Sequence, residues 1–108
     1  MKEKVLTGYP SVDKPQNKFY RDEPVREIDV EQSIYELIFN CNQNNIQSPA
    51  LEYLGVEWSF EKLKIEVDKA ADAFKKVGLG LGDTVLIGIS NCPEMVVILL
   101  SLNKLGVI

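Results

Sequence analysis

Histidine is absent from the 108-residue chain, and cysteine occurs only at Cys41 and Cys92. No recognisable zinc or catalytic Cys/His set can be assembled from that stock. Positive charge is in deficit, with 12 Lys and Arg against 16 Asp and Glu and a formal net charge of −4. That balance, with no basic stripe, disfavours a nucleic-acid or anionic-membrane surface. Long apolar runs are missing too: the longest, Met95 to Leu100 continuing to Leu105, is broken by Ser101, Asn103 and Lys104. It falls short of the ~20 residues a transmembrane segment needs. The opening stretch MKEKVLTGYPSVDKP lacks the apolar centre of a signal peptide, so a cytoplasmic chain is expected. Both cysteines are expected to be buried, reduced thiols rather than a disulfide.

What remains is ordinary for a folded domain: 45% hydrophobic and 26% charged residues, at a length that accommodates one domain at most. Residues 1–29 carry Pro10, Pro15 and Pro24 without sustained periodicity, which predicts an extended N-terminal arm. Tyr9, Phe19 and Tyr20 predict that it lies on a neighbouring surface. Residues 30–108 are expected to form a partial α/β domain, truncated before its next strand.

SIYELIFNCNQNN predicts a helix opened by a capping box between Ser33 and Glu36, with Ile34, Leu37, Ile38 and Cys41 on one face. The Asn-rich run ends it. ALEYLGVEWSF predicts a hairpin turning at Gly55, with Trp58 and Tyr53 as packing anchors; the other reading of Trp58 is an aromatic binding platform. An amphipathic helix should run from the N-cap Ser59 to Gly78, with Phe60, Leu63, Val67, Ala70, Phe74 and Val77 as its apolar stripe.

GLGLGD, from Gly78 to Asp83, has the glycines of a dinucleotide fingerprint in the wrong context. Such a loop needs a strand before it and a helix after; here the order is reversed, so the glycines read as a helix cap and a chain reversal. TVLIGIS predicts a strand. Asn91 or Cys92 then caps a helix from Pro93 to Leu105 that is apolar nearly all round, with a polar edge at Ser101 and Lys104. Pro93 and Glu94 suit its first turn, where a missing amide costs nothing and a carboxylate meets the positive helix end. Glu94 is a helix-start residue on this reading; a catalytic role lacks a second acid, base or nucleophile beside it.

Gly78, Gly82, Asp83, Asn91, Pro93, Glu94 and Gly106 together resemble the start of the large domain of AMP-forming acyl-CoA synthetases, in the adenylate-forming AMP-binding superfamily. In that family an amphipathic helix ends in glycine, Gly-Asp opens a strand, and Asn-x-Pro-Glu starts a buried helix. ALEYLGVEWSFEKL looks like the family's hairpin and first long helix. TGYPSVDKP and LNKLG are similar to stretches of a bacterial subgroup of fatty-acid ligases, while QN at 16–17, Leu105 and Val107 differ from its usual residues. The resemblance implies a parent enzyme that joins a carboxylic (fatty) acid to ATP as an acyl-adenylate and passes it to coenzyme A, with Mg2+ as metal. It carries no catalytic, cofactor-binding or metal residue onto this chain, because no Ser/Thr/Gly-rich phosphate loop or later motif occurs in it. The implied piece is inactive alone. Two other readings stand beside it: a non-catalytic α/β interaction module with an apolar docking helix, and a small nucleotide binder using Ser90 to Glu94. Self-association is expected, because so few elements cannot cover the last helix.

Overall fold

The computed structural model describes residues 5–19 and 31–108. In chain order the elements are α1 (Pro10–Asp13), a 3-10 turn (Pro15–Phe19), α2 (Ile34–Cys41) and a second 3-10 turn (Gln43–Asn45). Then come β1 (Pro49–Tyr53), β2 (Val56–Ser59), α3 (Phe60–Lys76) and α4 (Pro93–Lys104). The chain is thus α/β, a two-stranded antiparallel hairpin packed with helices, with the hairpin and the three longer helices in the predicted order. Phe39, Leu63, Val67 and Leu100 form the centre of the core, flanked by Tyr35, Leu51, Trp58, Phe60 and Val96.

The described part of the arm coils on itself. The Asp13 carboxylate accepts from the amides of Thr7 and Gly8, each at 2.9 Å, and α1 closes inside that loop. Its residues are not buried, and Tyr9 and Phe19 are exposed, so these two aromatics do not cover a neighbour as expected. Tyr20 and the predicted arm boundary at residue 29 lie outside the described residues.

The capping box of α2 is present, Ser33 accepting from the Glu36 amide while Glu36 accepts from the Ser33 amide. The buried face is not the expected one. Tyr35, Ile38 and Phe39 turn inward, whereas Ile34 is exposed. Two overlapping stripes compete on this helix, and the aromatic one wins. Tyr35 and Phe39 meet edge to face at 5.0 Å, and aromatics bury the larger apolar area. Cys41 sits about 200° round the helix from Phe39 at 100° per residue, and so faces solvent rather than the core.

The hairpin turns through Leu54 (φ 50°) and Gly55 (φ 78°), a two-residue loop with both central residues left-handed. Leu51 pairs with Trp58 across the ladder. Trp58 is half-buried against the core, with the Lys62 ammonium 4.4 Å above its ring, as an anchor rather than an open platform. Tyr53 shares the side of Leu51 but is exposed, because it stands at the turn end of the strand, paired with Val56, while Leu51 packs on the core.

Ser59 caps α3 by accepting from the Lys62 amide. Leu63, Val67 and Ala71 are buried, with Phe60, Ala70 and Phe74 half-buried beside them. Val77 is exposed instead of completing the stripe, since it is the C-cap and the chain turns away there. α3 and α4 end alike. The amide of Leu79 bonds the Phe74 carbonyl and that of Gly78 the Lys75 carbonyl; Val107 and Gly106 bond Leu102 and Asn103 in the same way. Each is a Schellman motif with a left-handed glycine, Gly78 at φ 98° and Gly106 at φ 73°.

TVLIGIS runs without turn or bend but is not a sheet strand. Its ladder is a single step: Ile108 donates to the Asp83 carbonyl at 2.7 Å and accepts from the Val85 amide at 2.8 Å, flanking Thr84 as in a parallel pair. α4 starts after Cys92, whose backbone is the N-cap without a side-chain bond. Ser101 is buried rather than on a polar edge; its hydroxyl donates to the Ile98 carbonyl at 2.9 Å, which lets a small polar residue enter the packed face. Among the described residues no helix is long and apolar enough to cross a membrane.

Candidate functional site

Polar side chains converge at one place, where α2, α3 and α4 meet. Asp68 on α3 accepts from the Tyr35 hydroxyl at 2.5 Å, from Lys64 Nζ at 2.9 Å and from Lys104 Nζ at 2.9 Å. Lys104 also stands 5.0 Å from the Tyr35 ring centroid. One residue earlier on α4, Asn103 Oδ1 accepts from the Tyr35 amide at 3.0 Å, satisfying an otherwise orphaned donor at the start of α2. Partial burial by itself would raise the Asp68 carboxyl. The hydrogen bonds from Tyr35, Lys104 and Lys64 outweigh it and hold the group down at about 2. The bond to Asp68 raises both Lys64 and Lys104 above their usual range.

A second feature is a shallow groove of about 190 Å³ between β1 and the start of α4. Leu51, Tyr53, Pro93 and Val96 supply apolar walls, with Glu52, Asn91 and Cys92 at the edges. Glu94 is exposed in the first turn of α4, as its helix-start reading requires. The amides of Met95 and Val96 both bond the Cys92 carbonyl, and Pro93 has none, so the helix start offers no cluster of amides. Gly80 and Gly82 belong to the reversal between α3 and the extended stretch, where the Gly80 amide bonds the Asp83 carboxylate at 2.8 Å.

A family model described as AMP-binding enzyme matches residues 39–108, well over half of the chain. The chain belongs to the AMP-binding enzyme family. Its members are adenylate-forming ligases, so the resemblance carried by Gly78, Asp83, Asn91, Pro93, Glu94 and Gly106 holds at the level of the superfamily. Among curated proteins, no sequence matches the chain.

The side chains gathered around Asp68 and along the groove do not fit a nucleotide phosphate or its Mg2+. Lys64 and Lys104 are committed to Asp68, Lys62 to the Trp58 ring and Lys69 to Glu66. The helix start nearest the groove presents Glu94 where an anion would need free amides. Among the described residues no three acidic, cysteine or histidine side chains gather as a metal site would require. What this region does is brace helices. Sequence reading finds half of that brace, since Lys64 and Asp68 lie at i, i+4 on one helix. Tyr35, Asn103 and Lys104 join it from far along the chain, and no local spacing signals them.

Proposed function

We propose that this chain forms the N-terminal part of the large domain of an ATP-dependent, AMP-forming acyl-CoA ligase. The parent enzyme joins a carboxylic acid, of the fatty-acid class, to ATP as an acyl-adenylate and then transfers the acyl group to the thiol of coenzyme A. ATP, Mg2+ and coenzyme A are the parent's ligands. Residues 30–108 act as scaffold in this reading, residues 1–29 as an arm, and the chain alone is inactive. The observation that supports it most is the family match over 39–108, which spans the hairpin, both long helices and the glycine turns between them.

The scaffold role follows from what the side chains are doing. LNKLG is a structural set: Leu102 is buried, Asn103 caps α2, Lys104 reaches Asp68 and Gly106 ends α4. Such a platform positions reacting groups supplied by other residues, and positioning accounts for a large part of catalysis in bimolecular acyl transfer.

A complementation assay tests the reading. The chain is mixed with an AMP-forming acyl-CoA ligase deleted for its corresponding N-terminal residues, and fatty-acid-dependent exchange of pyrophosphate into ATP is followed. Restored exchange, with none from either piece alone and no heat when Mg·ATP is titrated into the chain, is the expected result. Tight ATP binding by the isolated chain would overturn it, as would complementation only of ligases that use no coenzyme A.

A further inference from the structure

We draw no further inference here: the strongest candidate, the tip of the β1–β2 hairpin, where exposed Tyr53, Leu54 and Val56 adjoin the cross-strand carboxylates of Glu52 and Glu57, is an unpartnered face, and nothing in the structure shows what covers it.

Discussion

Asp68 gathers three donors from three helices, and its titration makes that brace measurable. The folded carboxyl sits at about 2 against 3.8 unperturbed. A carboxyl whose folded value is depressed stabilises the fold above its unfolded value, and that stability is lost as pH falls through the folded one. The contribution is therefore complete above about pH 5 and disappears toward pH 2. Allowing for solvent screening of a partly exposed group, it is on the order of 1 kcal/mol. Asp68→Asn should lower the unfolding free energy from urea titration at neutral pH by about that amount, and its stability should fall less steeply than that of the parent chain between pH 5 and 2. Tyr35→Phe removes a single donor and is expected to cost about 1 kcal/mol at neutral pH. Trp58 is the sole tryptophan, so its fluorescence reports both transitions. Gly106 offers a backbone test. A Cβ there would come within 2.6 Å of Leu81 Cδ1, the end of a flexible and exposed side chain. The contact yields readily but the φ of 73° does not, so Gly106→Ala should cost about 1–2 kcal/mol even with Leu81→Ala beside it.

Among the elements, the hairpin has one misfit residue. Leu54 holds φ at 50° in a turn that favours Asn followed by Gly, and its side chain is exposed. Leu54→Asn should therefore stabilise the chain by about 0.5–1 kcal/mol, read as a higher thermal midpoint with unchanged far-ultraviolet dichroism. The opposite case is Val67 on α3, wholly buried in the core. Val67→Ala should cost about 2 kcal/mol, a large share of what a domain this small holds. Element starts and stops were legible in the sequence, because caps are local chemistry. Ser33 with Glu36, Ser59, Gly78 and Pro93 each act within one helical turn. Helix faces were less so. α2 carries two apolar stripes, and only its neighbours decide between Ile34 and Tyr35; Ser101 reads as polar until its bond to the Ile98 carbonyl is known.

At the scale of the whole molecule, the core is centred on Phe39, Leu63, Val67 and Leu100, while Leu81, Leu86 and Ile108 remain open to solvent. The family was legible from glycine, proline and acid positions spread over most of the chain, and the match over 39–108 agrees with it. The Asp68 brace was not, because it depends on side chains from helices distant in sequence that meet only after the chain has folded. The cysteines show the same division. That they are unbonded was readable from their isolation, whereas the exposure of Cys41 follows from the rotation of α2.

The matched glycine endings of α3 and α4 act as a gauge. Each helix stops by the same hydrogen-bonded turn, and the reversal that follows the first is tied to the second, where the Gly82 amide bonds the Gly106 carbonyl at 3.1 Å. The outgoing segments consequently leave level with each other, which brings Ile108 alongside Thr84 before any strand residue has a say in its pairing. Inserting one residue between Gly106 and Ile108 would leave both helices intact and put a residue of the opposite face beside Thr84 in that single parallel step.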